Sequence, residues 1–260
     1  MDKEATTQKV IDLIRQAGER GIRLLVFPET FIPDIPYFIE CYPPLKQVGA
    51  IALYAEQSVV TQAKKSGHPI SCRETGVAIS LGVSERMAGG FTLFNSQINL
   101  QPTYVERAVW ACGSGATLKT YKTGMGITWE AKCLCCWENT MHLARQALVE
   151  QNEHIHAAAW PALSVLAGFE AVADIQIEAL MKSHALMCQT FVVCASSYVD
   201  EGPISAQEGR GWSAVVHPFC EVLAGPHTSE TECMLEAEIE LRELAEVKVW
   251  IDAAGHYKAA

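Results

Sequence analysis

No stretch of this 260-residue sequence stays apolar over the roughly 20 residues that a membrane-spanning helix needs. The N-terminus lacks the charged-then-apolar pattern of a secretion signal, and no basic run interleaved with aromatic residues occurs. A formal net charge of -10 makes nucleic acid or an anionic membrane an unsuitable partner. We therefore expect a soluble, cytoplasmic protein that binds neither nucleic acid nor membranes.

Motifs for metals and nucleotides are missing as well. The ten cysteines are scattered, and Cys133-x-x-Cys136 has no second pair at the spacing of a zinc site. The glycines that precede this pair do not have the spacing of a phosphate-binding loop. His154 and His156 stand at alternate strand positions and could share a metal, although one such pair is more often structural. We predict neither a metal nor a cofactor.

The composition is that of a globular α/β protein, with 49% hydrophobic and 19% charged residues. The length suits one core, so we predict a single domain over residues 1–260. The hydrophobic pattern predicts helices at 6–17, 50–63, 169–187 and 242–247, and strands at 24–27, 76–83, 91–98, 154–160, 191–195, 212–217 and 235–239. Because strands and helices alternate, the predicted class is α/β, with layers stacked around sheets.

Two positions carry candidate chemistry. At the segment Cys133–Asn139, which we call the cysteine elbow, an apolar strand turns directly into a helical pattern. A helix N-terminus favours the thiolate of a cysteine, although a buried cysteine is more often only a small hydrophobe. Glu29 follows the apolar run 24–27, and open α/β sheets place working groups at such strand tips. In isolation Glu29 could equally stand in a solvated loop.

Several motifs, in order along nearly the whole chain, together resemble the signatures of nitrilases, a branch of the carbon–nitrogen hydrolase superfamily. They are Phe27–Pro33, Pro102–Trp110, Cys136–Asn139, Leu143–Arg145, His156–Pro161 and Ala254–Tyr257. The resemblance implies an α-β-β-α sandwich and assembly into homo-oligomers. It also implies a hydrolase that converts an organic nitrile, a small molecule, to the carboxylic acid and ammonia without a cofactor.

The resemblance also implies roles for particular residues. Glu29 matches the general base of the family and Cys136 its nucleophile, while Glu106 matches a second glutamate that positions the catalytic groups. Trp137 and Trp160 match positions that line or border the substrate pocket. In this mechanism the sulfur attacks the nitrile carbon as a thiolate, and a thioimidate and a thioester follow.

The sequence departs from the family where the catalytic lysine is expected, just before the stretch Leu100–Thr103. Asn99 stands there, and the preceding segment is too short for the usual strand and turn. Lys119 and Lys122 match a different, variable stretch, so the resemblance does not give them the role. The N-terminal strand of the fold is also missing, so we expect a sandwich that is incomplete at the N-terminus and around residues 97–100.

Three further hypotheses therefore stay open. The chain could be a catalytically impaired homologue that serves as an assembly subunit, because Asn99 carries no charge. It could also be an amidase, or an enzyme of the nitrile hydratase type that stops at the amide, since pocket shape decides the product. A papain-like cysteine hydrolase is the weaker alternative, because no histidine lies in a matching local signature.

Overall fold

The computed structural model describes residues 1–60, 68–95, 104–123, 129–166, 168–200, 209–229 and 231–255. Asn99, and with it the whole of residues 96–103, lies outside this part of the chain. The end of the predicted strand 91–98 and part of the Pro102–Trp110 motif therefore lie outside it too.

Helices and strands alternate along the chain. The helices are α1 (Lys3–Glu19), α2 (Phe38–Cys41), α3 (Pro44–Gln57), α4 (His68–Thr75), α5 (His142–Val149), α6 (Ala173–Cys188) and α7 (Glu243–Trp250). The strands are β1 (Leu24–Val26), β2 (Ala78–Ser80), β3 (Ser84–Arg86), β4 (Leu93–Asn95), β5 (Tyr121–Thr123), β6 (Trp129–Cys135), β7 (Ile155–Trp160), β8 (Phe191–Ser196), β9 (Ser213–Val216) and β10 (Val222–His227).

One six-stranded sheet dominates the described residues, with the strand order β10-β9-β8-β7-β6-β5. Its centre is parallel, because β6 pairs with β7 and β7 with β8 in the same direction. The outer strands β5, β9 and β10 are antiparallel to their neighbours. All six residues of β7 are buried, as expected for a central strand that is covered on both faces.

A second strand layer packs against this sheet. β1 and β2 form a parallel pair, and β1 contacts β7 and β8. Val26 of β1 meets small side chains from β6 and β7, among them Cys135 and Ala159. These small residues let the two layers approach closely, so that the residues after β1 come near the end of β6.

Helices cover both outer faces, and the result is the α-β-β-α sandwich that the resemblance implies. On one side, Val10 and Ile14 of α1 pack with Val77 and Ile79 beside β2. On the other side, α6 packs its buried residues on β7, β8 and β9, and α5 packs Leu148 on Leu134. Both helices carry an apolar stripe at helical spacing, which buries against the sheet.

The sequence prediction is wrong for some individual elements. Residues 235–239 do not form a strand, although their apolar and acidic residues alternate. The prediction also missed three strands, β3, β5 and β10, of which β10 contains Gly225 and Pro226. Proline is tolerated there because β10 is an edge strand, paired only with β9 and with irregular register. Within the described residues, no helix has the length and hydropathy of a bilayer-crossing segment.

Candidate active site

The cysteine elbow lies where the central strand β6 ends. Cys136 has a φ of 45°, in the left-handed region that is strained for any residue with a side chain. A 3-10 helix over Cys136–Thr140 follows, and α5 begins only at His142. The sequence predicted a helix directly after the cysteine. The turn is tighter than that, and the thiol is buried, with 7% of the residue exposed.

Two side chains of the elbow hold its backbone. Glu138 accepts a hydrogen bond from the Cys135 N–H through Oε2, at 3.2 Å. Asn139 donates through Nδ2 to the carbonyl oxygens of Leu134, at 3.1 Å, and of Cys136, at 2.9 Å. These bonds satisfy backbone groups on both sides of the strained residue, so the geometry of the turn is built into residues 135–139.

Glu29 lies three residues beyond the end of β1 and is 3% exposed. Its Oε1 accepts a hydrogen bond from Nδ2 of Asn95 at 2.8 Å, and its Oε2 has no partner among the described residues. Burial raises the pKa of Glu29 well above its ordinary value, and the charges of Glu106 and Glu138 raise it further. The Asn95 hydrogen bond acts in the opposite direction. The solvated-loop alternative for Glu29 is therefore wrong.

Glu106 lies on a 3-10 helix over Tyr104–Ala108, and its backbone carbonyl accepts from the N–H groups of Val109 and Trp110. After burial, its negative charge is the largest influence that raises the pKa of Glu29. It also raises the pKa of Cys136. The structure thus brings Glu29, Glu106 and Cys136, which the resemblance selects from three distant segments, into one electrostatic neighbourhood.

The thiol of Cys136 does not gain the low pKa that a helix N-terminus would give it. Burial raises its pKa well above the ordinary value, and the charges of Glu29 and Glu106 add to the effect. A backbone hydrogen bond from Trp137 lowers it, but the direction of the total is upward. The charged side chains that act most strongly on this pKa are all acids: Glu29, Glu106 and Glu138.

Aromatic rings border the elbow. The ring of Trp137 lies edge-on to Trp160, with 5.8 Å between ring centroids, and to Phe169, at 6.0 Å. Both tryptophans belong to the apolar cluster that contains Cys136. Trp160 is fully buried, whereas Trp137 keeps some exposed surface. Edge-on aromatic contacts of this kind fix ring orientation, so Trp160 holds Trp137 in place beside the thiol.

A buried cluster of Glu153, His156 and His184 lies beneath the elbow. His156 Nδ1 is 2.9 Å from Oε1 of Glu153, and His184 Nε2 is 3.2 Å from Oε2. The other ring nitrogen of His156 is 3.0 Å from Oδ1 of Asn139, and the two imidazoles stack at 3.7 Å. His154, the other member of the predicted pair, lies before β7 and outside this cluster.

Electrostatics in the cluster favour one charged acid and one neutral ring. Burial opposes ionisation of Glu153, but the neighbouring His156 and His184 outweigh it and lower the pKa of Glu153 to about 2. Burial and the charge of His156 lower the pKa of His184 to about 3. The donor atoms of all three residues lie within 4.8 Å of one another and could hold a metal ion. Hydrogen bonds already use the facing atoms, so the cluster is stable without one.

Sequence reasoning missed Asn95, Asn139, Glu153 and His184. Asn139 is the last residue of the motif Cys136–Asn139, and Glu153 lies three residues before the motif His156–Pro161, a spacing that can signal a glutamate–histidine pair. Asn95 and His184 gave no such signal, because their partners lie 66 and 31 residues away along the chain. Only the packing of strands and helices brings them to the site.

Comparison with known proteins places the chain among hydrolases. The sequence profile of the carbon-nitrogen hydrolase family matches residues 1–249. A nitrilase from Pseudomonas syringae pv. syringae is 31% identical over 283 residues, which cover 99% of this chain and 83% of the relative. A nitrilase from Paraburkholderia phymatum is 32% identical over 277 residues, with coverage of 97% and 78%. Both alignments are longer than this chain, so they contain gaps where the relatives have additional residues.

The fold has matches among solved structures. Nit3 from Saccharomyces cerevisiae, a member of branch 10 of the nitrilase superfamily, superposes with a TM-score of 0.72 at 15% identity. The match covers 99% of this chain and 92% of that one. At this identity the likeness concerns the fold alone, and it agrees with the sandwich described above.

We predict that Glu29→Gln stabilises the folded chain at alkaline pH. Because the folded-state pKa of Glu29 is raised, the buried charge costs stability above that pKa and costs nothing below the unfolded-state pKa. In urea unfolding the variant should exceed the parent at pH 8, and the difference should shrink as the pH falls toward 4.

The exposed Glu19→Gln is the control, because it also removes one negative charge. It should change the free energy of unfolding by no more than about 0.5 kcal/mol. Equal or lower stability of Glu29→Gln at pH 8 would contradict the burial of a charged Glu29.

Proposed function

Because the chain belongs to the carbon–nitrogen hydrolase family, in its nitrilase branch, and is a hydrolase of carbon–nitrogen bonds other than peptide bonds, we propose that it converts an organic nitrile to the carboxylic acid and ammonia. One observation carries the proposal. The buried carboxyl of Glu29 keeps one oxygen without a partner among the described residues, and its charge acts directly on the Cys136 thiol. A base and a nucleophile thus share one enclosed site.

The first step is proton transfer from the thiol of Cys136 to the carboxylate of Glu29, as the sulfur attacks the nitrile carbon. Burial raises the pKa of both groups, so the transfer exchanges one buried negative charge for another. Desolvation therefore opposes the step less than it would if only the thiolate were buried. The unpartnered Oε2 is the oxygen available to take the proton, because Oε1 is occupied by Asn95.

The later steps use the same acid. Attack forms the carbon–sulfur bond and leaves negative charge on the nitrile nitrogen, which takes the proton from Glu29 to give a thioimidate. Water adds to the thioimidate carbon and ammonia leaves, so that a thioester remains. A second water cleaves the carbon–sulfur bond, which releases the carboxylic acid and returns the thiol of Cys136.

The other site residues have supporting roles in this proposal. Glu106 positions the catalytic groups and keeps the pKa of Glu29 high. Trp137 contacts the substrate next to the thiol, and Trp160 borders the pocket by holding Trp137 edge-on. We also infer a single domain over residues 1–260, a cytoplasmic location and a homo-oligomeric state, which stay predictions.

The charge balance supports a second candidate, a catalytically impaired homologue that acts as an assembly subunit. The charged side chains that act most strongly on Cys136 are all acids, and Asn99 stands where the family has its lysine. Without a cation, the negative charge on the attacked nitrogen lacks its usual stabilisation, which is commonly worth about 3 kcal/mol for one donor. An amidase, or an enzyme that stops at the amide, is a third candidate, decided by the pocket.

We predict that the purified chain releases ammonia from at least one nitrile of a broad aliphatic and aryl panel, and that Cys136→Ala abolishes the release. The matched control is Cys135→Ala, which removes the neighbouring buried thiol but leaves the nucleophile, and which should retain activity within about tenfold. Equal ammonia release by the parent and Cys136→Ala on every nitrile would refute the proposal. Acid and amide products are separated by chromatography.

We predict that Asn95→Leu moves the acidic limb of the pH profile of kcat/KM to higher pH. Glu29 must be ionised to accept the thiol proton, and the Asn95 hydrogen bond lowers the pKa of Glu29. Gln47→Leu removes another buried amide, one that bonds to backbone oxygens in α2 and after it, and should leave the limb in place. An unmoved limb in Asn95→Leu would mean that the observed profile does not report Glu29.

We predict that a restored cation increases the turnover. Asn99→Lys, combined with a relative's segment inserted between Gln97 and Leu100, should raise kcat by about 100-fold or more. The same insertion with Asn99 retained is the control for the added length. Activity that appears only with the lysine would identify the natural chain as the impaired subunit, and no gain would show that a cation is not what the site lacks.

A further inference from the structure

We propose that Glu153, His156 and Asn139 form a buried relay that positions the cysteine elbow, and that His156 serves in it as an imidazolium that donates from both ring nitrogens. The proposal rests on the proposed function only in taking Cys136 as the nucleophile. The relay residues touch neither substrate nor the reacting atoms, so they are positioning residues.

The protons follow from counting donors and acceptors. Both hydrogens of the Asn139 amide nitrogen go to backbone carbonyl oxygens, those of Leu134 and Cys136. Its Oδ1 can only accept, so the His156 Nε2 that lies 3.0 Å away must carry a hydrogen. Flipping the Asn139 amide would set its oxygen against two carbonyl oxygens, which excludes the opposite assignment.

The other nitrogen of His156 faces a carboxylate. Nδ1 lies 2.9 Å from Oε1 of Glu153, whose pKa the two neighbouring histidines lower to about 2. An ionised carboxylate can only accept, so this nitrogen carries a hydrogen too. His184 completes the arrangement, because its Nε2 donates to the second oxygen of Glu153 while its Nδ1 has no partner among the described residues. Glu153 and His156 are therefore a buried ion pair, and His184 is a neutral ring stacked on it.

The relay reaches the nucleophile through the backbone. The side chain of Asn139 donates hydrogen bonds to the carbonyl of Cys136 and to that of Leu134, two residues earlier. These bonds hold the backbone on both sides of the N–Cα bond of Cys136, where φ is 45°. A conformation of this kind costs about 1–3 kcal/mol and persists only where its surroundings fix it. Here the amide of Asn139 fixes the backbone, and the imidazolium of His156 in β7 holds the oxygen of that amide. This hydrogen bond is charge-assisted, so it is stronger than a bond between neutral groups.

The first test measures the coupling between Cys136 and Glu29, which needs no turnover. Alkylation of Cys136 by iodoacetamide is followed by peptide mass spectrometry over a range of pH. In the parent background, Glu29→Gln should move the midpoint of alkylation to lower pH, because the Glu29 charge raises the pKa of the thiol. In an Asn139→Asp background this movement should fall to less than half, because aspartate still accepts from His156 but cannot donate to the carbonyls.

Two controls separate positioning from general destabilisation. Val10→Ala weakens the core under α1, in a cluster that contains no residue of the elbow or of the relay, and the full movement of the midpoint should persist there. Where nitrile turnover is measurable, Asn139→Asp should lower kcat by about tenfold or more with KM little changed. Should Asn139→Asp fail to fold, Asn139→Ala with the same readout replaces it. A full midpoint movement in the folded Asp or Ala background overturns the proposal.

The second test addresses the imidazolium. In long-range proton–nitrogen NMR spectra at pH 7.5, both nitrogens of His156, assigned with His156→Gln, should show the shifts of protonated nitrogen. Glu153→Gln keeps an acceptor but removes the charge, and one nitrogen should then lose its proton. A neutral His156 in the parent overturns this half of the proposal. So does a stoichiometric metal in the purified protein that His184→Gln removes, because a metal would replace the ring protons.

Failure of this proposal is distinguishable from failure of the proposed function. Absence of ammonia release concerns nitrile chemistry alone, whereas the alkylation and NMR measurements report the relay in a chain without turnover. Conversely, nitrile hydrolysis by the parent together with a full midpoint movement in Asn139→Asp would support the proposed function and contradict the relay.

Discussion

The burial of Glu29 and Cys136 beside each other is the constraint on which the rest of the site depends. Both groups are buried after the end of a strand, and strained backbone fixes the position of each side chain. Thr30, the residue after Glu29, has a φ of 43°, and Cys136 has a φ of 45°. Such conformations persist only when packing over-determines them. The small residues between the two strand layers provide that packing, since they bring the chain after β1 to the end of β6.

Much of this arrangement could be predicted from the sequence. The apolar run before Glu29 and the strand-to-turn pattern at Cys136 are local signals, and the sandwich follows from the family resemblance. The direction of the thiol pKa could not be predicted that way. Proximity to a helix start suggested a stabilised thiolate, whereas the turn is a short 3-10 helix and burial dominates. Burial depends on the whole fold, and a local pattern does not report it.

The remaining errors have the same origin. Alternation at residues 235–239 satisfied the strand pattern, but a strand also needs a neighbour with free backbone groups. Pro226 lies within β10, where an edge position accommodates a residue that cannot donate to the ladder. Asn95 and His184 became visible only through contacts with residues distant in sequence. In each case the missing information was pairing, which tertiary structure decides.

The departures from the family are local, and the scaffold around them is kept. The elbow has the Asn139 hydrogen bonds to its backbone, the Glu153–His156 pair beneath it, and the aromatic contacts beside the thiol. The strongest charges on the thiol are those of three acids, Glu29, Glu106 and Glu138, and Asn99 stands where the family has its lysine. A charge deficit of this kind leaves packing untouched and acts on the developing anion alone, so it alters rate far more than fold. The same scaffold can therefore belong to a slow enzyme or to an inert subunit, and the group that faces the attacked nitrogen decides between them.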